Sequence, residues 1–61
     1  MILLYDYITT YSDKGLRVRI NDRFGNKLYE GDMEYIKWEF MTRYIISHKY
    51  FPTGLLLIYL A

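Results

Sequence analysis

Apolar and charged residues alternate strictly over Leu16-Arg17-Val18-Arg19-Ile20. A period of two predicts a half-buried strand with Leu16, Val18 and Ile20 facing a core. Asn21-Asp22-Arg23-Phe24-Gly25-Asn26 follows. Asp and Asn start turns, and Gly accepts the positive φ that a tight turn needs. Lys27-Leu28-Tyr29-Glu30 then resumes extended character. The whole stretch predicts a β-hairpin with a loop of about three to five residues.

Gly31 closes that strand, and Asp32 stands where a carboxylate can cap a following helix. Glu34 adds favourable charge to its first turn. From Met33 to about Lys49 there is neither Gly nor Pro. At about 100° per residue, Met33, Ile36, Phe40, Met41, Tyr44 and Ile45 share one broad face. Glu39 and Arg43 lie opposite, and Lys37 interrupts the apolar face with a stem long enough to snorkel. The expectation is one long helix, stopped by Tyr50-Phe51-Pro52-Thr53-Gly54 because Pro disfavours helical geometry in the residue before it. Leu55-Leu56-Leu57-Ile58-Tyr59-Leu60 is apolar at every position and predicts a strand buried on both faces.

The opening segment supports two readings. Leu4, Tyr7, Ile8 and Tyr11 keep helical spacing, whereas Tyr, Ile and Thr favour strands. As a strand it segregates polar from apolar poorly, so a short helix is preferred. The predicted fold is a small single α+β domain over residues 1–61, in the order α-β-β-α-β. Its three-stranded sheet (order 2-1-3) packs on one long helix, and the third strand runs parallel to the second, with a right-handed crossover. Arg17, Arg19 and half of the Leu55–Leu60 side chains then point away from that helix. Either the N-terminal helix or a second subunit is expected to cover those leucines.

Composition narrows the classes. The chain has 61 residues, 52% of them hydrophobic and 25% charged, which suits a globular domain rather than disorder. A domain this short buries only about 60% of its unfolded surface, and small domains often gain stability by oligomerising. The absence of Cys excludes a disulfide scaffold, a thiolate nucleophile and any thiolate zinc site. A net charge of +1 argues against general, charge-driven nucleic-acid binding. No apolar run approaches the roughly 20 residues of a membrane span, and the N-terminus lacks the pattern of a signal peptide. A cytoplasmic protein without membrane partners is the expectation.

In Leu4-Tyr5-Asp6-Tyr7-Ile8, Val18-Arg19-Ile20-Asn21-Asp22 and Gly25-Asn26-Lys27-Leu28-Tyr29-Glu30-Gly31 the chain resembles a loose group of short proteins. These are uncharacterised proteins encoded by phages and mobile elements of gut bacteria. They share a short opening helix, a hairpin with an Asp-x-x-Gly-Asn-like turn and a following acidic helix. The resemblance covers about half the chain, and the helix here is less acidic than that pattern. It implies an accessory role, such as inhibiting a host defence enzyme by binding it, and carries over no catalytic residue.

The residues that could bear chemistry have simpler readings. His48 is the only imidazole, and the reading is of a boundary residue at a helix C-terminus. Ser47 precedes it, and neighbours on a helix face different directions, so they make no nucleophile–base pair. Ser12 and the threonines have no base placed by a motif. Asp22, Glu30 and Asp32 do not follow the spacing of a calcium loop. Gly25 and Gly31 form no phosphate-binding motif. No catalytic, cofactor or metal residue is assigned, and no enzyme is expected.

Two surfaces remain. Tyr35, Trp38 and Ile46 fall at or beyond the edges of the core-facing arc, and Tyr29 has no evident burial site. These four are the candidate protein interface, since Trp and Tyr are enriched in interface hot spots. A wide core stripe is the competing reading. Arg17, Arg19, Arg23 and Lys27, with Tyr29 nearby, are candidate nucleic-acid contacts on a basic sheet face. The expected function is therefore a small non-enzymatic protein-interaction factor, an inhibitor of a host protein acting as a homodimer. The alternative is a nucleic-acid-binding module.

Overall fold

A computed structural model describes residues 1–10 and 16–61. Tyr11 and Ser12, named above, lie outside the described residues. A short helix α1 (Leu4–Thr9) opens the chain. Strands β1 (Arg17–Asn21) and β2 (Lys27–Asp32) follow. A 3-10 turn (Met33–Tyr35) and a four-residue helix α2 (Trp38–Met41) lead to β3 (Ile45–Phe51) and β4 (Leu55–Leu60). Among the described residues these make one mixed four-stranded sheet in the order β2-β1-β4-β3.

The β1–β2 hairpin and the opening helix agree with the expectations above, and Leu55–Leu60 is a strand but fully buried on one face only, not on both. The long helix does not form, and the sheet has four strands rather than three. Helical geometry stops at Ile36 and Lys37, both extended, and resumes for a single turn. Asp32 precedes the 3-10 turn but makes no side-chain capping bond. The segment Tyr44-Ile45-Ile46 through Tyr50-Phe51 is rich in β-branched and aromatic residues, which favour extended chain. Its decisive partner is β4, whose apolar run occupies the sheet interior and needs a neighbour at each edge. β1 supplies one and β3 the other. At the sheet's edge β4 would present a row of unpaired backbone groups.

The direction of the last strand also differs from expectation. β4 runs parallel to β1, and hence antiparallel to β2. The chain between β2 and β3 carries it from one edge of the sheet to the other. The β3–β4 hairpin then returns it to the middle.

Both hairpins use the same turn. In the first, the Gly25 N–H donates to the Asp22 carbonyl at 3.1 Å and Gly25 has φ +89°. In the second, the Gly54 N–H donates to the Phe51 carbonyl at 2.9 Å and Gly54 has φ +92°. Each is a three-residue loop whose last residue adopts the left-handed conformation that glycine accepts without strain. Pro52-Thr53-Gly54 is therefore a hairpin turn, not a helix stop.

One face of the sheet holds the core. Val18 and Ile20 of β1 and Leu56, Ile58 and Leu60 of β4 are completely buried there. Leu4 and Ile8 of α1, Met33, Ile36 and Phe40 close over them. Both helices thus sit on the same face, and α1 does not cover the second one. Six residues are too few for a helix to persist alone, and α1 is fixed by its surroundings. The Leu4 N–H donates to the Arg43 carbonyl, and the Ile45 N–H to the Ile2 carbonyl, both at 2.9 Å. Tyr44, expected in the core, is half exposed.

Candidate functional site

The second face carries the alternate residues of each strand. Arg17 and Arg19 come from β1, and Leu55, Leu57 and Tyr59 from β4. Lys49 and Phe51 stand beside Leu57 and Leu55 on β3, and Glu30 beside Arg19 on β2. Leu55, Leu57, Tyr59 and Phe51 are half-buried and take no part in the core cluster. No described element packs over them.

This face is hollowed along β4 by shallow depressions that share Tyr59. At one end Arg23, Phe24 and Gly25 of the β1–β2 turn stand beside Ile46, Ser47 and Tyr59. Farther along, Arg19 and Asn21 line one side and Phe51, Leu55 and Leu57 complete the depression. Lys49 borders the adjoining depression, with Ser47, His48, Leu57 and Tyr59, and its Nζ is 5.2 Å from the Phe51 ring centre.

The turn that forms one end of the hollow is built by Asp22. Its Oδ1 accepts from the Phe24 and Asn26 N–H groups at 2.8 and 2.9 Å, and its Oδ2 from the Asn26 amide at 3.1 Å. Desolvation pushes this carboxyl's pKa up. The bonds from Asn26 and Phe24, helped by the Arg43 charge, outweigh it and hold the pKa below the ordinary value. The exposed Phe24 is presented at the tip, with the Arg23 guanidinium 5.8 Å from its ring centre.

The four predicted cations are placed differently from one another. Arg17 meets Glu30 at 3.3 Å, and the Lys27 ammonium stands 4.0 Å from the other oxygen of the same carboxylate. Arg19 donates from Nε to Asn21 Oδ1 at 3.3 Å and lies over the hollow. Arg23 stays exposed at its end.

The predicted interface residues do not come together. Ile46 joins the open face, at a bulge in β3. Trp38 lies on the helical side, 66% exposed, its ring edge-on to Tyr5 at 5.4 Å. Tyr35 is similarly exposed. Tyr29 packs against the core, and its hydroxyl donates to the Asp32 carbonyl at 2.7 Å. Burial raises the Tyr29 pKa above the ordinary phenol value; Asp32 and Tyr35 add to the rise and Arg17 opposes it.

His48 is on β3, not at a helix end. Its Nδ1 is hydrogen-bonded to the Tyr7 hydroxyl of α1 at 3.0 Å. Ser47 is its neighbour on a strand, so the two side chains point to opposite faces. The described residues contain no group of three His, Asp or Glu side chains that could hold a metal ion. No described helix is long and apolar enough to cross a membrane.

Tyr59, Leu57, Phe51 and Lys49 carry no sequence motif that marks them as site residues. The signal for the first two was the uninterrupted apolar run of Leu55–Leu60, of which only every second residue can face one core. No family model, curated protein or solved structure matches the chain.

Proposed function

We propose that this protein is a small non-enzymatic interaction factor that seats a protein partner on the open face of its sheet. The observation that carries the reading is the row Leu55, Leu57 and Tyr59, half-buried on a central strand with no described element over it. Apolar surface of this kind gains about 25 cal/mol per Å² when covered. The resemblance to short phage and mobile-element proteins supports a particular form of this role, inhibition of a host protein by occupying its surface. Nucleic-acid binding is the weaker reading, because Glu30 already engages Arg17 and Lys27, two of the four cations it would use.

The test is capture from a bacterial lysate by the wild-type chain and by a folded Leu57→Asp variant. A protein retained by the first and lost with the second supports the reading. Equal retention by both, or retention by neither, overturns it. Light scattering on the same samples shows whether the seated partner is a second copy.

A further inference from the structure

Resting on that protein-binding reading, we infer that the partner presents an acidic amphipathic segment, apolar side chains interspersed with Asp or Glu, to the hollow along β4. The floor is apolar: Leu55, Leu57 and Tyr59 follow one another at every second residue. At about 3.3 Å per residue the floor runs for about 13 Å, enough for several partner side chains. Among the described residues, every charged side chain lining the hollow is cationic. Arg19 and Arg23 stand on one side and Lys49 on the other. Glu30, on the same face, lies toward the β2 edge and is already shared by Arg17 and Lys27. A partner with apolar groups alone would leave three cations facing a covered surface, which costs free energy unless they are paired. A partner carrying carboxylates pairs them at the rim, where charge complementarity selects the partner and speeds encounter.

The same surface suits a protein better than a single nucleic-acid strand. Stacking requires open aromatic rings, and two of the three floor residues are leucines. Of the three phenyl and phenol rings that line it, Phe51 already has the Lys49 ammonium near its ring and Phe24 the Arg23 guanidinium, which leaves Tyr59.

The experiment follows amide resonances of the isotope-labelled full chain during titration with three probes. They are a short peptide of mixed leucine and aspartate, the same peptide with lysine for aspartate, and oligothymidylate. The expected result is movement of β4, Arg19 and Lys49 signals with the acidic peptide and none with the lysine peptide. Binding weakens by about tenfold or more in Leu57→Ser and in an Arg19→Glu, Lys49→Glu double variant. The double variant alters only partly or fully exposed side chains, so it keeps the question open to test even where Leu57→Ser fails to fold. Binding of both peptides alike, movement at Tyr5 and Trp38 instead, preference for oligothymidylate, or β4 shifts that depend on protein concentration alone would each overturn the inference. Failure of the acidic peptide while lysate capture stays sensitive to Leu57→Asp removes the acidic chemistry and leaves the protein-binding reading standing. Failure of both removes both.

Discussion

Leu56, Ile58 and Leu60 of β4 are completely buried, while Leu55, Leu57 and Tyr59, one residue out of step, are only half-buried. Residue type does not separate the two sets. What separates them is the layer above each: α1, the 3-10 turn and α2 close one face, and no described element closes the other. Burial on one face holds the fold together. The same apolar chemistry on the other face is left without a described covering element, and it is the surface proposed above for a partner.

Substitutions on β4 test this division most directly. Ile58→Ala is expected to cost about 2–5 kcal/mol, because it leaves a cavity among completely buried neighbours. Leu57→Ala, on the open face, is expected to cost less than about 1.5 kcal/mol, since solvent or side-chain movement fills the space. Urea unfolding followed by circular dichroism measures both. Equal losses would mean that the two faces are equally covered.

On the closed side of β2, a Cβ at Gly31 would lie 2.7 Å from the Tyr29 hydroxyl oxygen. Gly31→Ala therefore drives that hydroxyl from the Asp32 carbonyl, at an expected cost of about 1–2 kcal/mol. Tyr29→Phe combined with Gly31→Ala should recover part of the loss, because the clashing atom is gone.

The pH profile adds two readouts, one from each face. Tyr29 holds its proton above the ordinary phenol range. Its contribution to stability is full below the unfolded tyrosine pKa and is lost as pH rises through the folded value. A tyrosine that ionises late in an alkaline absorbance titration should disappear in Tyr29→Phe. Asp22 has the opposite sign: its lowered pKa gives stability above the unfolded aspartate value that is lost as pH falls through the folded one. Acid unfolding should be less steep in Asp22→Asn. The smallest effect belongs to Glu30→Gln on the open face. Loss of exposed pairing with Arg17 and Lys27 is expected to change stability by less than about 1 kcal/mol, and less still at high salt.

The two hairpins show how much could be read in advance. They share one turn geometry, yet only the first was legible. Its strand alternates Leu16-Arg17-Val18-Arg19-Ile20, and Asp22 and Gly25 mark the loop. Before Pro52-Thr53-Gly54 the chain carries Ile45, Ile46, Tyr50 and Phe51 without alternation, and β3 is exposed at most positions. Its upstream residues Met33, Ile36 and Phe40 do meet the core, as helical spacing suggested, but through a 3-10 turn, an extended pair and a single helical turn. The candidate site was legible in part. Arg19, Arg23 and Ile46 reach the open face, whereas Tyr29 turns to the core and Trp38 and Tyr35 lie on the helical side.

The sequence by itself determined the segments whose signals are local: the first hairpin, from strict alternation and an Asp–Gly turn, and the last strand, from an apolar run between turn residues; for the opening segment it favoured a short helix, which the contacts of Leu4 and Ile2 then fix. Only the tertiary structure decided the fate of Met33–Phe51 and which half of β4 is core. Helical spacing from Met33 onward and the β-branched and aromatic residues of Tyr44–Phe51 pull that stretch in different directions, and contacts distant in sequence set the outcome. β4 must pair at both edges, so β3 becomes a strand; the helices gather on one face, so alternate residues of an otherwise uniform run end in different surroundings.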